Sequence, residues 1–578
     1  MVITAYINRI VKKIKKANQL VLSPKALLLI SLIIPSVVVT YYFFIVIYYS
    51  INFPYNDDFH AIIWSLNYYI LYPNFGDRIA ILFAQHNEHR IVFVRLVALL
   101  QYYFLNQLDF KWFIIIGNSS LIVIMLFLYK SFTLTNFKSK IFYLLPISLL
   151  LFNFRYWEII FWAMGSLQNL WVNCFVLLSL YFLFKRKPYA IYLSIFLAIM
   201  ASFTSANGMM VFFAGGIVLF MNRGFSIKKK LAWLLSGLFV ILFYFFNYQK
   251  PIQHPDLFKP VVENPLGFVG YIFAFLGSAF TGNVSYAIII GICLVLFIIY
   301  LTIKKYYKAN PIIYSFMGFI LITSVLAALS RFGFGLDTAL SSRYSICSTL
   351  LVACCYIAFI SLVHHKIKHI HILILTSFAL LFSLSTQSKY LPQKIAEKKE
   401  FDKNYALITA GKFSNFNFGW AFNTYKDVPK MALKMSTELG YYKFTYAEDS
   451  TIIDRLLKRD SLETDFCLDN NEQIPDSNVM FIAGWSFIRK IPAENTQCFI
   501  AIKDTNGKLI DYLKCEKVVR HDVTQANKED NTNYDLSGFN AKFDFTALPR
   551  EKYRIYIVLI NKTNNYRVEI NTNQVVSY

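Results

Sequence analysis

Residues 26–49 read ALLLISLIIPSVVVTYYFFIVIYY, an unbroken apolar run preceded by Arg9, Lys12, Lys13, Lys15 and Lys16 and followed by the polar stretch from Asn52 to Asp58. A helix of that length covers the roughly 30 Å hydrocarbon core of a bilayer. No small-residue cleavage site follows the run. It therefore reads as a retained signal anchor with its basic flank inside, not as a removed signal peptide.

Working outward, apolar runs of similar character recur to about Leu384, and the 578-residue chain is 56% hydrophobic and only 16% charged. Its mean hydropathy is +0.46. A soluble globular protein rarely combines these values, so lipid is the first solvent to consider and the expected fold is an α-helical polytopic membrane bundle. About eleven spans can be placed, at 26–50, 111–130, 141–154, 166–184, 189–205, 207–221, 231–247, 283–303, 311–330, 344–363 and 369–386.

The net charge of +23 does not point to nucleic acid, because much of it sits in short clusters at the ends of apolar runs. Lys130, Lys138 and Lys140, then Lys185, Arg186 and Lys187, then Arg223 and Lys228 to Lys230 all fall inside when counted from an inside N-terminus. Residues 265–280 break the count if they cross. Short, and carrying Gly267, Gly270 and Gly277, they read as an interfacial or re-entrant segment, which keeps Lys304, Lys305, Lys308, Lys366 and Lys368 inside and the C-terminus outside.

The pattern changes near Ser388. Residues 1–388 are the membrane domain with an external loop at 51–110. Residues 389–464 read as a helical connector lying against the membrane domain. Residues 465–578 contain runs such as Val479 to Phe487, Cys498 to Ile502 and Tyr553 to Ile560 between Asn, Asp, Gly and Pro clusters, the pattern of an exported β-sandwich. Cys174, Cys293, Cys347, Cys354 and Cys355 fall in apolar runs as small buried hydrophobes, whereas Cys467, Cys498 and Cys515 lie in the exported part, where one disulfide leaves one thiol over.

The loop 51–110 concentrates ionisable groups: Asn56-Asp-Asp-Phe-His60, Asp77, Arg78, Gln85-His-Asn-Glu-His-Arg90 and Arg95. Two adjacent carboxylates near a low-dielectric surface cannot both ionise cheaply, so one of Asp57 and Asp58 gains a raised pKa suited to a general base. The alternative is that they cap the helix starting near Phe59. His86 and His89, spaced i and i+3, either ligate a metal with one of these aspartates or serve as ordinary polar groups. Other outside loops add Arg155, Trp157 and Glu158, then Asn207, then His254 and Asp256, then Arg331, Asp337 and Arg343. Arg331 and Arg343 run against the positive-inside trend at span ends, within reach of a phosphate at headgroup depth.

An acidic pair in the first external loop, a many-helix bundle and a large exported C-terminal domain resemble the GT-C superfamily of polyprenyl-phosphate-sugar-dependent glycosyltransferases. The strings Asn56-Asp-Asp-Phe, Gln85-His-Asn-Glu-His-Arg90 and Tyr156-Trp-Glu158 also resemble a set of uncharacterised bacterial multi-spanning proteins placed near surface-glycan glycosyltransferases. Gly484-Trp-Ser-Phe487, Arg520-His-Asp-Val523 and Ser537-Gly-Phe539 are similar to β-sandwich modules appended to bacterial glycan enzymes. The resemblance implies a bacterial cytoplasmic-membrane enzyme in which Asp57 or Asp58 activates an acceptor hydroxyl and Arg331 and Arg343 hold the carrier phosphate. His86, Glu88, His89, Arg90, Arg155, Glu158 and Asn207 are then candidates to position the polyprenyl-phosphate-sugar donor or a glycan or lipid acceptor.

No P-loop is present; a divalent cation, Mg or Mn, is an open candidate cofactor. Readings of other classes are a lipid-linked glycan transporter or assembly partner, and a glycan polymerase or acyltransferase using a loop His or Arg. The threading has a direct test. A reporter fused after Ser388 is expected to score as external and one near Lys229 as internal, and a cytoplasmic score after Ser388 would overturn the external placement of the loop.

Overall fold

The computed structural model describes residues 24–132, 141–251, 257–363, 369–409, 427–442, 457–458, 462–474, 479–505, 507, 509–544, 552–561 and 566–577. Arg9 to Lys16, Lys138, Lys140, His254, Asp256, Lys366, Lys368 and much of the connector 389–464 lie outside the described residues. The chain divides into two compact units, Met1–Lys398 and Lys399–Tyr578.

Among the described residues seven helices are long and apolar enough to cross a membrane, Leu28–Tyr49, Phe110–Ser131, Ala163–Leu183, Val284–Ile303, Pro311–Phe334, Ser342–Val363 and His369–Asp402, all in the first unit except that the last runs past its boundary. Several begin where the sequence supplies a cap. Asp109 accepts from the amide of Lys111 at 2.9 Å, Asn283 from Tyr286 at 3.2 Å, and Asn310 from Ile313 at 3.2 Å with Pro311 in the first helical turn, each satisfying an amide the helix itself leaves orphaned. The other expected spans are helical as well, over Ile141–Leu151, Ala190–Ser202 and Ala206–Met221 and over Ile227–Phe245, whose first turn holds Lys228 to Lys230; these are shorter or more charged.

The helix ends sort into two groups. At one end the Asn310 side-chain amide donates to the carbonyl of Ser131 at 2.8 Å and Lys229 Nζ to the carbonyl of Lys185 at 2.8 Å, so the basic clusters after three helices and before a fourth lie together. At the other end Asn52 accepts from the amide of Phe110 at 2.8 Å and Asp58 from that of Met164 at 2.8 Å. The loop 51–110 belongs to this second end.

Pro265–Gly277 is a helix of 13 residues, about 20 Å long and short of a bilayer core. Its start packs Gly267 beside Phe332 and the residues after it bond to Ser348 and Arg155, all at the end that carries the loop. A Cβ at Gly277 would collide with the backbone of Ala287, and one at Gly291 with that of Phe273. These glycines let the short helix lie directly against Val284–Ile303, a close approach of the kind small residues permit between membrane helices.

The boundary expected near Ser388 falls inside a single helix, His369–Thr409. Hydropathy drops there, but the helical backbone continues because long cationic side chains can still cover apolar surface. Lys398 donates to the carbonyl of Tyr48 at 2.9 Å, and buried Lys394 pairs with Glu397 at 3.2 Å.

The second unit is β-rich, with a five-stranded sheet in the order Leu457–Lys458, Tyr566–Ser577, Lys552–Asn561, Thr496–Lys503, Leu509–Lys514 and a four-stranded sheet in the order Thr464–Gln473, Val479–Ile488, Gly538–Asp544, Glu516–Val518. Alternate residues of both sheets, among them Met480, Ile482, Phe539 and Phe543 of one and Ile500, Ile502, Ile555 and Ile557 of the other, share one buried cluster, the outcome expected of period-2 patterning. Cys467, Cys498 and Cys515 are free thiols. A fragment of residues 457–578 is expected to be soluble with a β-type circular dichroism spectrum. Ile557→Ala in the full chain, at a fully buried position, should destabilise this unit by about 2–5 kcal/mol.

Candidate functional site

The acidic pair is placed by local backbone chemistry. Asn56 is left-handed, with φ 49°, a conformation Asn tolerates better than most residues, and the reversal sends Asp57 and Asp58 in different directions. Asp58 is buried and its two carboxylate oxygens accept from the amides of Tyr55 at 2.9 Å and Met164 at 2.8 Å, tying the loop to the start of Ala163–Leu183. It makes no side-chain cap on the one-turn π-helix Phe59–Trp64. Burial pushes its carboxyl up to about 8, against the pull of the two amides. Asp57 is half-buried, and burial pushes it up to about 6, with Arg343 and Arg331 opposing and Glu88 reinforcing the rise.

Gln85-His86 and His89-Arg90 form a two-residue-per-strand hairpin with His86 facing His89 across it. Asn87 supplies the positive φ of its turn, and Glu88 follows at the tip, where it forms an ion pair with Arg331 at the end of Pro311–Arg331. His89 Nε2 lies 3.5 Å from Glu88, and its Nδ1 accepts from the amide of Ala206 at 3.2 Å, which puts the turn containing Asn207 beside the hairpin. At the start of Ser342–Val363, Ser342 donates to Glu158 at 3.1 Å. Arg343 interacts with the charges of Glu158 and Glu88, stands over the Tyr344 ring, and has a buried Nε with no hydrogen-bond partner among the described residues.

The structure thus brings together Asp57, Glu88, Glu158, Arg331 and Arg343, with His89 and Asn207 at the edge. It gives Arg90 and Arg155 other partners. Arg90 donates to the carbonyls of Tyr244, Phe83 and Phe246, and buried Arg155 to those of Ser278, Ala279 and Thr281 and to the Tyr390 hydroxyl. His86 is buried with its Nδ1 3.2 Å from that of His60, and burial pushes its imidazolium down to about 3, which makes it a neutral ring. Among the described residues no group of three or more His, Cys, Asp or Glu is placed to hold a metal ion.

Two groups absent from the expected set border the cluster. Tyr55 lies within electrostatic range of Glu397, Glu158 and Asp58, and Glu397 has a buried oxygen without a partner among the described residues. Tyr55 stands three residues before Asp58 and was legible as part of the same turn. Glu397 sits beyond the drop in hydropathy at Ser388 and carried no sequence signal.

A carboxyl that titrates near neutrality beside two guanidiniums can accept a proton and hold an anion at adjacent points. Asp58 instead serves the frame. Asp58→Ala strands the amides of Tyr55 and Met164, and is expected to lower stability by about 2–4 kcal/mol, read as a lower Tm of the purified protein in detergent, whereas Asp57→Ala should leave Tm nearly unchanged. Compared with known proteins, the chain matches no family model, no curated protein and no solved structure.

Proposed function

We propose that this chain is an integral membrane glycosyltransferase of GT-C type, threaded eleven times with its N-terminus inside. On this reading it moves a sugar from a polyprenyl-phosphate carrier to a cell-surface glycan, lipid or protein acceptor on the outer face of a bacterial cytoplasmic membrane, with a β-sandwich appended outside. The observation that carries the reading is the half-buried Asp57 carboxyl, pushed up to about 6, next to an arginine whose buried Nε has no partner among the described residues.

Asp57 is the base in this reading and Asp58 its support, since only Asp57 lies with the charged cluster while both oxygens of Asp58 are held by backbone amides. Asp57 takes the proton from the acceptor hydroxyl as that oxygen attacks the sugar C1. The bond from C1 to the phosphate oxygen breaks with inversion, and Arg331 and Arg343 stabilise the charge that develops on the departing lipid phosphate. Glu88 and Glu158 orient the two guanidiniums. The clustering of the basic residues at the opposite end of the bundle supports the direction of threading.

The test is a reconstituted assay with a polyprenyl-phosphate sugar and an acceptor. Asp57→Asn keeps size but removes the proton acceptor, so turnover is expected to fall roughly 10²–10⁴-fold in a protein that still folds. Because the ionised form is the active one, wild-type kcat/KM should rise with pH through about 6 and level off above it, and the variant should lack that limb. Arg343→Ala should raise KM for the lipid-phosphate donor more than it lowers kcat. Full transfer by Asp57→Asn would remove the acid from catalysis and leave a lipid-linked glycan transporter or assembly partner as the better reading.

A further inference from the structure

We propose that Cys498 and Cys515 are a redox pair that closes to a disulfide, stapling the point where the chain passes from one sheet of the C-terminal unit to the other. Strands Thr496–Lys503 and Leu509–Lys514 pair antiparallel with Phe499 opposite Lys514 and Ile500 opposite Leu513. The same register puts Cys498 directly opposite Cys515, and the Cys515 amide donates to the Cys498 carbonyl at 3.1 Å. Side chains of directly opposed residues leave the same face of a sheet with Cβ atoms about 4.5–5.5 Å apart, roughly 1 Å more than in a half-cystine pair, and the two thiols already lie within hydrogen-bonding reach of one another. Both side chains enter the same buried cluster.

The position is a junction. Leu509–Lys514 belongs to the five-stranded sheet and Glu516–Val518 to the four-stranded one, so Cys515 is the single residue between them. A bond to Cys498 anchors that crossover to a central strand. Both thiols line a small cavity shared with Thr496, Lys517 and Ser537, and the hydroxyls of Thr496 and Ser537 are buried there without hydrogen-bond partners among the described residues. Lys517, whose ammonium donates to the carbonyls of Ala493 and Glu494 at 3.0 and 2.9 Å, lies within electrostatic range of Cys498. Burial pushes the Cys498 thiol well up and the neighbouring Cys515 thiol adds to the rise, with Lys517 opposing, so the thiolate that thiol–disulfide exchange requires forms as the pH is raised. Cys467 is exposed on the other sheet opposite Trp485, outside this junction, and stays single.

The oxidant is a disulfide, of low molecular weight or on a protein. One thiolate attacks it and releases the first thiol, and the second cysteine then displaces the other half from the mixed disulfide. Two cysteine thiols and one R–S–S–R become one protein disulfide and two R–SH.

The experiment uses the full-length protein in detergent, incubated with excess oxidised glutathione, alkylated under denaturing conditions and digested without reductant. Mass spectrometry should find the peptides carrying Cys498 and Cys515 joined, lighter by two hydrogens than the sum of the free pair, with Cys467 alkylated or glutathionylated. Closure should be faster at higher pH. In Cys515→Ala, Cys498 should remain single and not cross to Cys467. Separate alkylation of Cys498 and Cys515 in wild type, or a link from either to Cys467, overturns the proposal. Alkylation directly in membranes, with no added oxidant, separates this from the external placement of the domain: a pair that closes in detergent yet is reduced in membranes upholds the staple and counts against the placement.

Discussion

What holds the loop-bearing end of the bundle together is the bonding of backbone carbonyls by buried and half-buried guanidinium groups. Away from water every polar backbone group needs an internal partner, and irregular segments have too few of their own. Arg95 donates to the carbonyls of Ile81, Leu82 and Ala84, Arg90 to Phe83, Tyr244 and Phe246, and Arg155 to Ser278, Ala279 and Thr281. Each fork closes the end of one helix and links it to another segment. A fixed planar array of five donors suits this task where a lysine, with a compact ammonium, does not.

This division of labour separates the arginines that build the frame from those left for chemistry. Arg331 and Arg343 face carboxylates beside Asp57, while the frame arginines face carbonyls. The same frame makes Asp58 and Asp57 unequal although they are adjacent. One is pulled into the backbone by the amides of Tyr55 and Met164, and the other remains beside the charges of Arg343, Glu88 and Arg331. Every residue named here belongs to Met1–Lys398.

Much of the fold was legible because burial and periodicity leave a mark in every residue. The apolar runs at Leu28–Tyr49, Phe110–Ser131 and Ala163–Leu183 are helices, and the alternating runs around Met480 to Phe487 and Tyr553 to Ile560 are strands. The grouping of Asp57, Glu88, Glu158, Arg331 and Arg343 followed from assigning their loops to one face. The frame role of Arg90 and Arg155 did not, because an arginine bonded to carbonyls has no pattern in sequence that distinguishes it from one bonded to carboxylates. The continuation of the last long helix to Thr409 was hidden for a related reason: Lys394 and Lys398 look like solvated charges, yet both are buried, pairing with Glu397 and the carbonyl of Tyr48.

The balance of charge around Asp57 bears on the order of events in the proposed reaction. Glu88 and Glu158 partner the two guanidiniums, so the arginines stabilise the Asp57 carboxylate less than their proximity alone would, and burial raises its pKa instead. An anion entering beside Arg343 would take up more of that positive field and place a like charge near Asp57, both of which raise its pKa further. In the proposed reaction a bound lipid phosphate would therefore make Asp57 a stronger base. Glu88, displaced from Arg331, would still have His89 3.5 Å away, a partner able to take up charge by protonation. In the proposed reaction Glu88 and Glu158 would thus hold the arginines in place, and Asp57 would reach full strength as a base only beside the leaving group that those arginines would serve.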